Sequence, residues 1–444
     1  MIKKPEKIRI TTVIILMIMM IGFVSICYQI VLKNVVVDKL GMKAGWIENT
    51  ITSLEGKSIY SPEPVEIDWG QIYPFAEPGA YEQVSFATEN TGKAESGSRI
   101  GRIYDQFEKY STEWFMFTEC CELASKGFNK ILGMNLNADV YGNLVFEQPD
   151  GRYAKECLYK KVDNEADNVI SFAEYLEGEG IDYLYVTVPS PIAPDAEPRL
   201  IEEGYREYSN RMADEFLEKL SDRRIPYIDL RERLYEENVS WTDVFAGTDH
   251  HWKPEYGLWG AGVIAEQINE RNGFETDSEI FDINSYARDI SEKVYMGSYG
   301  NVVTALNVEK DSMEVWSARF ETDLTKTVPE SGLEISGSFD EVMYDLTVWP
   351  SYNIWNHGIT GVKTYHNNRS SIQGYKILCL TDSYSDVVMP FLASEYEDMA
   401  ELDLRCFGGS LEAYIEEYQP DLVLTIYSAY EFNNGSGNGL YMFR

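Results

Sequence analysis

The 444-residue chain is long enough for two or three domains, and its 44% hydrophobic and 13% aromatic content exclude a globally disordered protein. Its formal charge of −35 at pH 7 argues against nucleic acid as a partner, because the phosphates would be repelled. The same charge places no restriction on a neutral glycan.

The N-terminal residues predict a membrane anchor. Residues 1–9 include four basic side chains, and an uncharged run over residues 10–32 follows them. Such a run is long enough for one helical crossing at about 1.5 Å per residue. Because basic segments stay in the cytosol, we expect a cytoplasmic tail, a single transmembrane helix and an extracellular remainder at the cell membrane. A cleaved signal peptide is the alternative, but no small-x-small cleavage site follows the run.

Residues 33–160 predict a stalk and cap region. Prolines and glycines interrupt its first half and exclude a long element there. Over residues 103–132, apolar side chains recur every three or four positions, which predicts a long helix. A hairpin strand is expected over residues 140–146.

Residues 161–444 predict an α/β domain with a parallel sheet. Apolar runs typical of buried strands alternate with helical patterns. The expected strands cover residues 183–188, 225–230, 375–380, 399–406 and 421–427. The expected helices cover residues 166–179, 206–220 and 411–418, with others beginning near Pro254 and Val388. Residues 275–370 are rich in polar turns, so we expect an irregular insertion there. In such a sheet the active site lies at the carboxyl ends of the strands.

Two segments at those ends have the residue types of a serine-dependent catalytic site. Asp249, His250 and His251 lie in a loop just ahead of a predicted helix, and they include half of the four histidines. Ser383 lies three residues beyond a predicted strand and just before a helix, which is typical of a nucleophile on a tight turn. A serine becomes a good nucleophile when a base removes its proton, and the base works best when an acid orients it. The pattern favours a triad of Ser383, His251 and Asp249, with His250 in a structural role.

Other interpretations of these segments remain open. Asp249 and His251 are also typical of a pinned structural loop, or of a metal site that His357 or His366 would complete. Ser383 is also typical of a helix cap. The triad interpretation requires no metal and no cofactor.

The segment Thr248-Asp249-His250-His251-Trp252 resembles the signature of the DHHW family. It is also similar to the Asp-x-His-Trp segment of SGNH-like acetyltransferase domains, such as those that O-acetylate alginate. Further matches to the DHHW pattern are residues 260–261, 382–385, 390–392 and 402–405. The resemblance covers roughly residue 175 to the C-terminus.

This resemblance implies a flavodoxin-like SGNH domain with a circularly permuted motif order, since the histidine segment precedes the serine segment. It implies Ser383 as nucleophile, His251 as base and Asp249 as the orienting acid. In SGNH enzymes a glycine and an asparagine complete the oxyanion hole.

The oxyanion hole is where this sequence departs from the SGNH pattern. Gly408 is the candidate for the glycine, but no Gly-x-Asn-Asp block follows Tyr427. Tyr430 or Arg405 are the candidates for a replacement, although Arg405 is also typical of an ion-pair partner for a nearby acid.

The expected function is that of a membrane-anchored, extracellular acyltransferase or esterase, with acetyl as the group and a cell-surface polysaccharide as the substrate. The resemblance implies a membrane-bound O-acyltransferase as the partner that delivers the acyl group. Transfer and hydrolysis both remain open, because the outcome depends on how well water is excluded. The alternative is a catalytically inactive protein that binds or assembles glycans.

Overall fold

The structure is a computed structural model that describes residues 137–138, 144–303, 308–433 and 440–443. The predicted anchor at residues 10–32 and the predicted helix at residues 103–132 lie outside the described residues. Within the described part of the chain, no helix is both long enough and apolar enough to cross a membrane.

Thirteen strands and ten α-helices are described. The strands are β1 (Asn137–Ala138), β2 (Leu144–Glu147), β3 (Tyr153–Lys155), β4 (Asp182–Val188), β5 (Tyr227–Asp229), β6 (Tyr286–Tyr295), β7 (Asp311–Ala318), β8 (Leu324–Val328), β9 (Leu333–Gly337), β10 (Val362–Asn367), β11 (Ile372–Thr381), β12 (Tyr396–Leu402) and β13 (Leu422–Ser428). The helices are α1 (Asp163–Glu179), α2 (Glu197–Glu202), α3 (Ser209–Asp222), α4 (Leu230–Glu236), α5 (Trp241–Val244), α6 (Pro254–Asn272), α7 (Ser298–Val303), α8 (Phe339–Met343), α9 (Met389–Glu395) and α10 (Leu411–Tyr418).

An eight-stranded sheet forms the centre of the fold, with the strand order β5-β4-β13-β11-β12-β10-β8-β9. The first five strands in this order run parallel to one another. The next three are antiparallel additions at one side. Two smaller sheets accompany it, one of β1, β2 and β3 and one of β6 and β7.

The prediction of a parallel sheet was therefore incomplete, because the sheet is mixed. Its three antiparallel strands come from residues 324–367, within the segment that the sequence predicted to be an irregular insertion. Two of these strands point a lysine into the interior: Lys326 and Lys363 are 0% and 1% exposed. A charged side chain in the middle of a short alternating run removes the apolar signal by which a buried strand is identified.

The parallel half of the sheet follows the predicted apolar runs. Strands β4, β11 and β13 are buried along most of their length, as expected of strands covered on both faces. Strand β12 ends at Leu402, earlier than predicted, because the chain turns at Asp403, whose carbonyl oxygen accepts the N–H groups of Cys406 and Phe407.

Helix α6 brings the histidine loop next to the serine turn. It buries Leu258, Ala261, Ala265 and Ile268 as predicted. At Gly257 a Cβ atom would lie 2.3 Å from the carbonyl oxygen of Val387, so only glycine allows this approach. The first turn of α6 consequently packs on the 3₁₀ helix Ser383–Val387.

Candidate active site

The loop before α6 is fixed at both ends by backbone pairing and by one tryptophan. Phe245 and Trp252 form an isolated antiparallel bridge across the loop. The Trp252 ring is 1% exposed, and its Nε1–H donates to the carbonyl oxygen of Tyr384 at 2.8 Å. Burial of an aromatic side chain of this size contributes on the order of 5 kcal/mol. Trp252 thus ties the histidine loop directly to the segment that contains Ser383.

Asp249, His251 and Ser383 form one continuous hydrogen-bonded chain. The Nδ1 atom of His251 lies 2.6 Å from Asp249 Oδ1, and its Nε2 atom lies 2.9 Å from Ser383 Oγ. An ionised carboxylate only accepts hydrogen bonds, so the Nδ1 position of His251 holds the proton. The Nε2 lone pair then faces the Ser383 hydroxyl, which is the arrangement in which a histidine takes a proton from a serine.

Asp249 is buried and satisfied by residues far away in the chain. It is 3% exposed, and its Oδ2 accepts from the Tyr295 hydroxyl and from the Ser298 backbone N–H, both at 2.7 Å. Burial alone would raise the pKa of Asp249. The charges of His251 and His250, with hydrogen bonds from His251 and Tyr295, instead hold that pKa well below its usual range. Asp249 is therefore ionised across the pH range in which the protein would work.

Sequence patterns did not predict Tyr295 and Ser298 as partners of Asp249, because they lie 46 and 49 residues beyond it in the predicted insertion. Between them, Gly297 makes the approach possible, since a Cβ atom there would lie 2.4 Å from the Asp249 side chain. A glycine followed by a serine near the end of a strand is too common a pattern to identify these partners.

The serine turn is held by an acid of its own. Asp382 caps the 3₁₀ helix that begins at Ser383, and its carboxylate accepts the backbone N–H groups of Tyr384 at 3.0 Å and Ser428 at 2.7 Å. Because Ser428 ends β13, this contact ties the turn after β11 to the neighbouring strand. Ser383 itself is half-buried.

His250 does not share the role of His251. Its Nδ1 atom lies 2.7 Å from Ser298 Oγ, as expected of a hydrogen-bonding residue. Its ring centroid lies 3.7 Å from that of His251. Burial and the charge of His251 lower the pKa of His250, so that it stays neutral when His251 accepts a proton.

A metal site is the competing use of the same three residues. Asp249, His250 and His251 offer ligand atoms within 4.8 Å of one another. Both ring nitrogens of His251, both oxygens of Asp249 and Nδ1 of His250 are already engaged in hydrogen bonds, which a metal ion would have to replace. His357 and His366 bond elsewhere, to the Val342 carbonyl oxygen and to Asp398. The geometry therefore favours the hydrogen-bonded chain.

The three residues predicted for oxyanion or substrate binding form no hydrogen bond to Ser383 in the described part of the chain. Arg405 forms ion pairs with Asp403 at 2.6 Å and with Glu431 at 3.3 Å, so the prediction that it pairs with a nearby acid is confirmed. Tyr430 is buried and donates to the Lys155 carbonyl oxygen at 3.4 Å, and Gly408 is exposed. Their role toward a substrate remains a prediction.

A further buried carboxyl group belongs to Glu207, which pairs with Cys157 in an isolated parallel bridge. Glu207 is 0% exposed, and one of its oxygens accepts from the Ser209 backbone N–H at 3.0 Å and from the Ser209 hydroxyl. Its other oxygen has no hydrogen-bond partner among the described residues. Burial raises the pKa of Glu207 to about 8, against the lowering effect of the bonds from Ser209. The folded protein therefore keeps this carboxyl protonated at neutral pH.

We expect the free energy of unfolding of the wild type to fall, relative to Glu207→Gln, as the pH rises from 4.5 to about 8. Below this range both the folded and the unfolded chain hold the proton. Within it only the folded chain does, so each pH unit costs up to about 1.4 kcal/mol. Urea denaturation at several pH values measures the difference. Glu236→Gln, at an exposed glutamate, is the control. If the free energies of unfolding of Glu207→Gln and the wild type change with pH in parallel, a raised pKa for Glu207 is contradicted.

The chain resembles known proteins in sequence and in fold. Residues 152–333 match the family model of the SGNH hydrolase-like domain of the acetyltransferase AlgX. This span includes Asp249 and His251 and ends before Ser383. No curated protein matches the sequence.

Two solved structures share the fold. The structure of Bacillus cereus PatB1 with a sulfonyl adduct has a TM-score of 0.55 and 18% identity, and the match covers 68% of this chain and 99% of that one. A DHHW family protein from Eubacterium siraeum has a TM-score of 0.53 and 18% identity, covering 68% of this chain and 94% of that one. At this identity the likeness concerns the fold. The resemblance inferred from the motifs is thus confirmed: residues 152–333 are similar to the SGNH hydrolase-like domain that the AlgX acetyltransferase family model describes, and the α/β fold is shared with a DHHW family protein.

Proposed function

We propose that this protein is a serine-dependent O-acyltransferase or esterase, with acetyl as the transferred group. The observation that supports it best is the chain of hydrogen bonds from Asp249 through His251 to Ser383, at 2.6 and 2.9 Å. The match to an acetyltransferase family model supports the acyl chemistry and the choice of acetyl.

In the proposed first half-reaction, the Ser383 oxygen attacks the carbonyl carbon of the acyl donor while His251 Nε2 takes the hydroxyl proton. The bond between the carbonyl carbon and the leaving oxygen then breaks, and His251 returns its proton to that oxygen. In the second half-reaction a sugar hydroxyl or water attacks the acyl-enzyme, and His251 relays its proton to Ser383. Asp249 stabilises the imidazolium that forms in each half.

Acetyl transfer can be tested directly with the purified full-length protein and 4-nitrophenyl acetate. We expect nitrophenolate release and, after acid quenching, an acetyl group on the peptide that contains Ser383. Addition of oligosaccharide distinguishes the two reactions, since a transferase yields an acetylated sugar and an esterase yields acetate. Turnover that is lost after treatment with a chelator would favour the metal site instead.

An inactive glycan-binding protein is the second candidate. It is supported by the residues that follow Tyr427, Ser428-Ala429-Tyr430-Glu431, which offer no side-chain amide for an oxyanion. It predicts saccharide binding that His251→Ala leaves unchanged, together with no ester turnover and no label on Ser383.

A polysaccharide substrate is supported by an exposed aromatic side chain on the segment that contains Tyr352. A hairpin closed by the bridge between Tyr344 and Trp355 includes Tyr352, whose ring stacks on that of His251. The same segment exposes Trp349 by 36% of its surface. Sugar rings present apolar faces that pack on aromatic rings of this kind.

We expect Trp349→Ala to raise the KM for the saccharide acceptor about fivefold, from the loss of roughly 1 kcal/mol of aromatic contact. Turnover of 4-nitrophenyl acetate should not change, because that ester does not need the acceptor surface. Tyr227→Ala, on the edge strand β5, is the matched control with a similar exposed area. An unchanged KM for the acceptor would place the saccharide elsewhere.

We also propose that residues 10–32 anchor the chain in the cell membrane, with the α/β domain outside and a membrane-bound O-acyltransferase as the donor of acyl groups. The four basic side chains within residues 1–9 and the uncharged run after them support this orientation. We further propose a permuted SGNH motif order for the domain, which is supported by the position of His251 before Ser383 in the sequence. Protease treatment of intact cells tests the orientation, and complete protection of the domain would contradict it.

A further inference from the structure

The imidazole ring of His251 is packed between aromatic rings from two other parts of the chain. The Tyr352 ring lies parallel to it, with a centroid distance of 3.7 Å and an interplanar angle of 6°. Tyr384 packs at 5.2 Å and a 55° angle from the serine turn. A flat stack on one face of the imidazole restricts the rotation of His251 and holds its Nε2 atom toward Ser383.

The stack also has an electrostatic consequence. When His251 takes the proton of Ser383 it becomes a cation, and the face of an aromatic ring attracts a cation through its quadrupole. This attraction is absent when His251 is neutral. Tyr352 therefore stabilises the protonated form of His251 relative to the neutral form.

A second buried acid lies on the helix that begins at Ser383. Asp386 lies three residues after Ser383 on the same 3₁₀ helix and is 2% exposed. One of its oxygens accepts from Lys363 Nζ at 3.3 Å, and the other is buried without a hydrogen-bond partner among the described residues. The Tyr352 hydroxyl is also buried without a partner there.

The charge of Asp386 affects the titration of the Tyr352 phenol. After burial, its charge is the largest influence that raises the pKa of the Tyr352 phenol. Burial raises the pKa of Asp386 itself, and the positive charges of Lys363 and His251 oppose this. A negative charge at Asp386 thus favours a positive charge on His251.

A buried polar network connects the hairpin of Tyr352 to the helix of Asp386. Asn356, four residues after Tyr352, donates to Glu401 at 2.8 Å. Lys363 bridges Glu401 at 3.2 Å and Asp386 at 3.3 Å. Because each of these side chains is at most 4% exposed, water screens the network little. The network fixes the distance between the ring stack and the carboxylate.

The groups that face His251 come from three elements. Asp249 and His250 belong to its own loop, Ser383, Tyr384 and Asp386 belong to the 3₁₀ helix, and Tyr352 belongs to the hairpin. Asp249 and Asp386 are the carboxylates in this set, and only Asp249 bonds directly to the imidazole.

We propose that Tyr352 is a positioning residue that acts through His251, because its ring stacks on the imidazole and favours the charged form of that imidazole during acyl transfer. This proposal rests on the proposed function and deepens it, because it assigns the stability of the imidazolium to a residue outside the triad.

The test compares Tyr352→Leu and Tyr352→Phe with the wild type over a range of pH, using 4-nitrophenyl acetate. Without the ring, the imidazolium of His251 loses its stacking partner. The acidic limb of the profile of kcat/KM against pH should therefore move to lower pH by about half a unit in Tyr352→Leu. The rate on the plateau should fall about tenfold. Tyr352→Phe keeps the ring and should restore most of the rate and of the pH profile.

A structural role would lower the rate or the melting temperature and leave the acidic limb in place, and that result would overturn the proposal. Tyr227→Leu, which removes an exposed tyrosine on β5, is the matched control. The imidazole titration of His251, followed by NMR, provides a readout that needs no activity, and the four histidines of the chain make its signal assignable. If the wild type shows no turnover but the midpoint of the imidazole titration still moves in Tyr352→Leu, the proposed function is contradicted and the effect of the ring on His251 is retained.

Discussion

Ser383→Ala is expected to lower kcat for 4-nitrophenyl acetate by about 10⁴-fold or more and to abolish acetyl labelling of the protein. The serine hydroxyl oxygen lies 2.9 Å from His251 Nε2. Its removal leaves the base without a nucleophile to activate. Steady-state kinetics and mass spectrometry of the quenched protein measure the two effects.

Ser385→Ala is the matched control, because Ser385 lies on the same 3₁₀ helix but points to the Ile426 carbonyl oxygen at 3.4 Å. It should retain turnover and labelling. The Ser383→Ala variant should melt within a few degrees of the wild type, because the half-buried hydroxyl makes one hydrogen bond of average strength. Labelling that persists in Ser383→Ala would exclude this serine as the nucleophile.

Asp249→Asn is expected to reduce kcat by a similar factor, about 10⁴-fold. An asparagine amide has only one oxygen, whereas the Asp249 carboxylate accepts hydrogen bonds on both of its oxygens. On the side of its amide nitrogen, the asparagine would place its own N–H donor opposite the N–H or O–H donor of a neighbouring residue. If the amide nitrogen faces His251, the imidazole moves its proton to Nε2 and no longer accepts from Ser383.

The same substitution should lower the free energy of unfolding by about 2 kcal/mol, because a buried donor loses its acceptor. Asp229→Asn separates the two effects, since Asp229 pairs with the buried Arg231 at 2.7 Å, caps α4 and lies outside the proposed site. It should lose stability and keep kcat. Retention of more than a tenth of the wild-type kcat in Asp249→Asn would show that Asp249 serves the loop rather than the reaction.

The parallel half of the fold and the two motif segments were predictable from local patterns. Strands β4, β11 and β13 are continuous apolar runs, and the Gly180 that follows α1 adopts the left-handed conformation of a helix C-cap. These signals are local because burial on both faces or a helix end constrains each residue by itself. The positions of His251 and Ser383 at the ends of such elements followed from the same reasoning.

The antiparallel half of the sheet was not predictable in this way. Strands β8 and β10 each contain a lysine that is almost fully buried, and no local rule anticipates a buried lysine. Lys363 is acceptable there because Glu401 and Asp386 surround its ammonium group. Those acids come from other elements, so the favourable environment exists only after the chain has folded.

By itself, the sequence determined an alternating α/β domain and the residue types of a serine, a histidine and an acid at the ends of its strands. Only the tertiary structure decided that Tyr295 and Ser298 hold Asp249, that Tyr352 covers His251, and that the sheet continues beyond β12. The physical reason is that periodicity and turn chemistry depend on neighbours a few residues away. Hydrogen bonds across 46 or 132 residues, and the stack of Tyr352 on His251, depend instead on how distant parts of the chain are brought together.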